Sequence, residues 1–205
     1  MSYIGYVPAA KPLTSADITD GIITSAKIVD GTIVNADINA SAAIAGTKLT
    51  GVGKVLQVLS ATKTDVFSIT SQTFTDVTGL SVSITPSSAS NKILIIASLY
   101  GGSIGNNSFG RLMRDSTAIC IADANTDNRR ASFGNFYHDD IYDPIYVSTS
   151  QNFLDSPNTT SATTYKIQVM CHGTSTLYIN YGGATGTDTS RGRNASSITV
   201  MEIAG

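Results

Sequence analysis

The sequence predicts an all-β protein in which a short repeat precedes a β-sandwich domain. Thr and Ser together occupy 51 of the 205 positions, whereas Glu202 is the only glutamate. A chain poor in Glu and Lys and rich in Thr, Ile and Val favours strands over helices. No stretch of ten residues shows helical periodicity, and about a dozen short strand signals follow one another in the second part of the chain.

Charge and hydropathy exclude several classes of protein. The chain carries 13 basic and 15 acidic residues, and its isoelectric point is near 5.5. Nucleic-acid-binding domains usually have a basic surface, so no nucleic-acid partner is expected. The longest apolar run, residues 93–99, is too short to span a membrane, so no membrane insertion is expected. The first residues lack the basic and apolar regions of a secretory signal.

Residues 1–12 form an apolar peptide that precedes the repeat. Its tyrosine, isoleucine and proline residues come before any segment able to bury them. Such a peptide can bind by adding to an edge or groove of another protein. The alternative is a loose tail, as chain termini often are. The candidate anchor residues are Tyr3, Ile4, Gly5, Tyr6 and Pro8.

Residues 13–53 contain a repeat of five residues. A large aliphatic side chain recurs every five positions, and Ala or Gly stands two positions before each isoleucine of this column. Five is the period of neither a helix nor an alternating strand, and it indicates a backbone that turns a corner every five residues. The pattern resembles pentapeptide-repeat β-helices. The column consists of Ile18, Ile23, Ile28, Ile33 and Ile38.

The repeat is too short to bury its own isoleucines. From Leu13 to Leu49 it has 37 residues, fewer than two coils of about 20 residues each, whereas repeat architectures rarely stand alone with fewer than about three units. We therefore expect several chains to lie side by side with the isoleucine column on a shared axis. A low-complexity linker is the alternative.

Residues 54–205 carry the strand signals of a β-sandwich or jelly roll. The continuously apolar range 92–99 is expected to be a buried central strand. The last strand alternates in hydropathy and is expected inside a sheet. The predicted strands are 55–60, 65–70, 73–78, 80–85, 92–99, 109–115, 117–122, 131–136, 145–148, 165–171, 177–181 and 197–203.

Catalytic and metal-binding patterns are weak, so no enzyme activity, cofactor or metal is expected. Cys120 and Cys171 stand 51 apart, with no Cys-x-x-Cys motif. The local carboxylate cluster around Asp143 fits a solvated loop before a proline better than a glycosidase pair. Residues 123–127 begin like a calcium loop, but Asn128 replaces its glycine. We expect the aspartates of this loop to pair with Arg129 and Arg130.

Two loops are candidates for receptor contact. Tyrosines can stack on sugar faces, while Asp and His exchange hydrogen bonds with hydroxyl groups. The loop 137–146 is net negative and suits a neutral or basic polar ligand such as a surface glycan. The second candidate is the loop 182–194. The candidate residues are Tyr137, His138, Asp139, Asp140, Tyr142, Arg191 and Arg193.

The chain resembles fibre proteins of tailed bacteriophages of the marine and cyanobacterial type. The likeness lies in the opening Ser-Tyr-Ile-Gly, in the Ala-Lys-Ile-Val-Asp-Gly-Thr-Ile repeat of residues 26–33, in residues 53–58 and 73–86, and in Arg-Leu-Met-Arg-Asp-Ser-Thr-Ala-Ile of residues 111–119. The resemblance implies a homotrimer with a virion anchor (1–12), a shaft (13–53) and a jelly-roll head (54–205) similar to trimeric heads of the TNF and C1q type.

The same resemblance implies a virion protein, made in the host cytoplasm, that docks on another virion protein and attaches to a host surface glycan or protein. A head fibre or decoration protein of the capsid or tail needs the same three parts, and the sequence does not distinguish it from a tail fibre. A glycan-cleaving tailspike usually needs a long parallel β-helix with a carboxylate groove, for which this chain has no room.

Overall fold

The structure is a computed structural model that describes residues 14–39, 41–42, 54–103, 106–126, 128–134, 136, 146–182 and 192–205. The chain divides into two compact units, residues 1–51 and 52–205. No α-helix occurs in these described ranges. The candidate anchor residues Tyr3 to Pro8 lie outside them, and so do residues 137–145 and Arg191.

The first unit turns once in every five residues. Backbone N–H groups donate to the carbonyl oxygen three residues earlier at six evenly spaced places, from Asp17 to Thr14 through Ala42 to Asn39. Three of these turns are short 3₁₀ helices, Ser15–Asp17, Ser25–Lys27 and Asn35–Asp37. The expectation of a corner every five residues is confirmed for this range.

The small residue of each pentad lies at the third position of its turn. Alanine stands there in the 3₁₀ turns, while Gly21 and Gly31 stand there in the alternate turns with φ of +79° and +82°. A positive φ at this position defines a type II turn, which glycine adopts without steric cost. The ten-residue alternation of Ala and Gly therefore corresponds to two alternating turn types.

The described residues of the second unit form ten strands that pair antiparallel in two sheets. One sheet, sheet A, has the order β1-β10-β4-β9-β2, and β7 also pairs with β4; the other, sheet B, has the order β3-β8-β5-β6. The strands are β1 (Val55–Lys63), β2 (Phe67–Ile69), β3 (Thr75–Ile84), β4 (Lys92–Ser103), β5 (Ser108–Arg114), β6 (Thr117–Ile119), β7 (Val147–Asp155), β8 (Thr163–Cys171), β9 (Leu177–Ile179) and β10 (Ser196–Ile203).

The two sheets enclose one hydrophobic core, in a sandwich-like arrangement. Strands of both sheets contribute alternate side chains, as period-two strands do when one face is buried. The all-β fold is confirmed, and so is the placement of the last strand inside a sheet, since β10 lies between β1 and β4. Fully buried core side chains include Leu80, Ile84, Ile93, Ile95, Leu99, Leu112, Tyr165, Ile167, Leu177, Ile179, Ile198 and Val200.

Several strand predictions differ from the structure. The predicted range 145–148 overlaps β7 (Val147–Asp155) by two residues only, because most of β7 is polar and exposed and gives little hydropathy signal. The ranges 73–78 and 80–85 form one strand, β3, because a bulge at Gly79 (φ +89°) shifts its register against β8 without ending it. In the range 131–136 the described residues, 131–134 and 136, make only an isolated bridge at Phe133, where the carbonyl of Gly110 accepts both the Ser132 and the Phe133 amides. The strand β4 is central, but its first part, residues 92–98, is buried on one face only, with Ile96 exposed on the other; residues 99–103 are buried on both faces.

Candidate functional site

The five isoleucines of the repeat column are all exposed. Each follows directly after a turn, and the exposed fraction of its side chain lies between 39% and 55%. Three further aliphatics of the same range, Ile22, Val29 and Val34, are exposed as well. Exposed aliphatic side chains that recur at this spacing are typical of an interaction surface. Its role as a trimer axis stays a prediction.

A second exposed apolar surface crosses the outer face of sheet A. The antiparallel registers place Val58, Met201, Leu94 and Leu154 in one row over four adjacent strands. Val58 and Leu154, at the two ends of the row, are more than half exposed. The sequence did not predict this row, because only the strand order aligns residues so distant along the chain.

Four tyrosines form a cluster where the two predicted receptor loops begin and end. The ring centroids of Tyr100 and Tyr146 are 5.9 Å apart, those of Tyr146 and Tyr181 are 5.9 Å apart in an edge-to-face arrangement, and those of Tyr178 and Tyr181 are 4.9 Å apart. Aromatic pairs at these distances attract one another beyond their burial. We call this group the tyrosine cluster.

Hydrogen bonds join the tyrosine cluster to the end of the second loop. The Tyr100 hydroxyl donates to the carbonyl of Gly192 at 3.0 Å, and Arg193 Nε donates to the carbonyl of Asn180 at 3.4 Å. Burial raises the pKa of the Tyr100 hydroxyl. Arg193, a predicted contact residue, is exposed beside the cluster.

Asn180 directly follows β9 and fixes the end of this strand next to Tyr178 and Tyr181. Its backbone is left-handed, with φ of +58°, and its side chain is fully buried. The side-chain amide donates to the carbonyl of Lys63 at 2.8 Å, while its oxygen accepts the Ser196 hydroxyl at 2.6 Å. These bonds tie the end of β9 to β1 and β10 beside the tyrosine cluster.

The tyrosine cluster offers aromatic faces and hydroxyl groups. In the part of the chain that the structure describes, no group of three or more His, Cys, Asp and Glu is arranged to hold a metal ion. The buried Asp155 accepts the Tyr165 hydroxyl at 2.7 Å and pairs with Arg114 at 2.8 Å, which satisfies its charge inside the sandwich. The aromatic faces and hydroxyl groups of the tyrosine cluster suit binding of a polar ligand.

The sequence analysis predicted only one member of the cluster as part of a candidate site. Tyr146 closes the predicted segment 137–146, whereas Tyr178 and Tyr181 belong to the predicted strand 177–181 and Tyr100 directly follows the predicted strand 92–99. Their one sequence signal is that they stand at or near strand ends, where side chains can leave the core.

Comparisons with known proteins add little to this description. No protein-family model and no curated protein matches the chain. A chain in the structure of infectious bursal disease virus Gx strain is similar at 15% identity and a TM-score of 0.33, over 72% of this chain and 41% of that chain. The present chain thus spans less than half of that protein. Among the described residues, no helix has the length and hydropathy needed to cross a membrane.

Proposed function

We propose that the chain is a structural and binding protein of a virion, a homotrimeric tail fibre that attaches to the host surface through its C-terminal domain. The observation that carries the proposal is the column of exposed isoleucines, one after each turn of the repeat. Burying an aliphatic side chain of this size contributes about 1.5–3 kcal/mol. Packing against copies of the same chain would bury the column in a symmetric way.

The apolar row of sheet A supports the same proposal. Exposed apolar side chains at both ends of one row give the second unit a surface that a neighbouring copy can cover. The resemblance to phage fibres sets the number of chains at three. In this arrangement residues 1–12 dock on another virion protein, and the receptor loops around the tyrosine cluster face the host.

Attachment through three copies needs only weak individual sites. Linked sites that engage a repeated surface gain affinity through their effective concentration. Aromatic faces and exchangeable hydroxyl groups at the tyrosine cluster suit shallow contact with a surface glycan. The protein acts by binding and not as an enzyme.

The experiment measures the mass in solution by light scattering and the adsorption of purified protein to host cells. We expect about three times 21.4 kDa and saturable adsorption. A 21.4 kDa monomer would contradict the fibre. A trimer that does not adsorb, and that antibody labelling finds on the capsid, would instead indicate a head fibre or decoration protein. Release of sugars from the host glycan would indicate a tailspike.

A further inference from the structure

A groove lined by arginines lies on the outer face of sheet B. Its lining residues include none of the four residues of the tyrosine cluster. Its volume is about 490 Å³, within the range of ligand sites. A smaller cavity of about 210 Å³ shares Asn128 and Arg129 with it, so the two adjoin. We call them together the arginine groove. Its charged and aromatic lining is Phe74, Phe109, Arg111, Arg129, Arg130 and His172.

The strand register explains why Arg111 reaches this face. In β5 the side chain of Leu112 points into the core, so its neighbours Arg111 and Met113 point outward. Met113 and Met170 are buried without belonging to the core cluster, which gives the outer face an apolar base. The Arg111 guanidinium lies 4.0 Å from the centroid of the Phe74 ring, a cation–π contact.

Hydrogen bonds hold the Arg111 guanidinium in place, and the group that accepts them is not a carboxylate. Its Nε and Nη2 donate to Gln168 Oε1 at 3.0 and 2.8 Å, and this amide is neutral. The neighbouring Asp76 accepts from Gln168 and forms an ion pair with Lys166 at 2.7 Å. A fixed guanidinium bonded to a neutral partner is preorganised for an anionic ligand.

The other two arginines add to this charge. Arg130 Nε donates to the carbonyl of Ala122 at 2.6 Å, which positions its exposed guanidinium. Neither Arg129 nor Arg130 forms an ion pair with Asp123, so that part of the expected pairing is wrong; Asp127 lies outside the described residues. The groove thus gathers three of the six arginines of an acidic chain, and its described lining includes no carboxylate.

We infer that the arginine groove binds an acidic polysaccharide through carboxylate or sulfate groups. Guanidinium groups bind such oxyanions in a bidentate manner. The side-chain amide of Asn128 suits sugar hydroxyls, and the apolar edges of Phe109 and Ile121 suit the C–H faces of a sugar ring. A nucleic acid is disfavoured, because the basic surface is one short groove on a chain of net charge −2.

This inference rests on the proposed function in one respect, since the proposed function gives the host surface as the place where the polysaccharide occurs. The ligand class differs from that expected for the net-negative loop 137–146, so the two sites would recognise different parts of one surface. Charge-dependent binding of this kind weakens as salt screens the groove.

The experiment measures binding of the full chain to polygalacturonate, dextran sulfate, neutral dextran and double-stranded DNA by titration calorimetry. The test variant is Arg129→Gln with Arg130→Gln, and Arg129→Gln alone serves if the double variant melts early. The matched control, Lys54→Gln with Lys92→Gln, removes the same charge outside the groove. We expect one acidic polysaccharide to bind, its Kd to rise at least tenfold in the test variant, and the control to stay within about twofold.

Equal loss in both variants, equal affinity for neutral dextran or DNA, or no binding of either acidic polysaccharide would overturn the inference. Preference for polygalacturonate or for dextran sulfate tells carboxylate from sulfate recognition. Host adsorption of the same proteins separates the two proposals. A trimer that binds the polysaccharide and does not adsorb contradicts the attachment function alone, whereas adsorption without polysaccharide binding contradicts the groove alone.

Discussion

The side-chain amide of Asn91 donates a hydrogen bond of 2.6 Å to the buried carboxylate of Glu202, the only glutamate of the chain. The same carboxylate accepts the Ser87 amide at 2.6 Å, the Ser87 hydroxyl at 2.8 Å and Gln57 Nε2 at 2.6 Å. All four donors are neutral groups. A buried charge is thereby satisfied by hydrogen bonds from β1 and from the segment between β3 and β4.

Replacing Glu202 with Gln should destabilise the second unit by about 2–3 kcal/mol, because an amide nitrogen would face donors that need an acceptor. Chemical denaturation measures the free energy of unfolding. The matched control is Asp76→Asn, which removes an exposed ion pair and should cost less than about 1 kcal/mol. Equal stability of Glu202→Gln and the parent would show that the carboxylate charge is not needed.

The stability of the parent should fall in acid. Burial alone would raise the pKa of Glu202, but hydrogen bonds from Asn91, Gln57 and Ser87 outweigh it and lower the pKa from 4.5 to about 2. A depressed pKa contributes stability that is complete above the unfolded value near 4.5 and is lost as the pH falls towards 2. Denaturation at pH 6, 4 and 3 should show a steeper decline in the parent than in Glu202→Gln; parallel declines would contradict the assignment.

Replacing Ile28 and Ile33 with Asp should dissociate the oligomer. The two carboxylates would lie on the proposed shared axis, where each unpaired charge costs several kcal/mol. Light scattering and the thermal melt measure the effect. Thr19→Asp with Thr24→Asp adds the same charge at turn positions outside the column and should leave the mass unchanged. A double isoleucine variant as large and heat-resistant as the parent would exclude the shared axis.

Residues 54–205 expressed alone should fold, because the strands share one core that draws on both sheets. The expected result is a β-type circular dichroism spectrum and a cooperative melt. Loss of structure in this fragment would show that the repeat contributes to the core of the sandwich.

Truncating Tyr137, Asp140 and Tyr142 to Ala should lower adsorption to host cells at least tenfold and change the melting temperature little, since substitutions outside a core usually alter stability by under about 0.5 kcal/mol. Cell binding by labelled protein gives the first quantity and calorimetry the second. An unfolded variant would mean that these side chains belong to a core. Undiminished adsorption would move the contact to the loop around Arg193.

Local chemistry explains what could be predicted from the sequence. A turn needs only four neighbouring residues, so the five-residue period and the Ala and Gly positions predicted five of the six turns in the described repeat range; the sixth has Ser41 at the corresponding position. Alternating hydropathy predicted most strands for the same reason, because the side chains of a strand change face with every residue. The glutamate, although conspicuous in composition, carried no local signal of its four donors, which come from segments up to 145 residues away.

By itself, the sequence determined the all-β class, the turns of the Ala and Gly pentads, the isoleucine column and the placement of the last strand inside a sheet. Only the tertiary structure decided that Tyr146 meets Tyr181, that Val58 and Leu154 share one row, and that Arg111 joins Arg129 and Arg130 over Phe74. These groupings depend on the order of the strands and on long-range register. Both are set by how the two sheets bury one common core, which no short window of residues encodes.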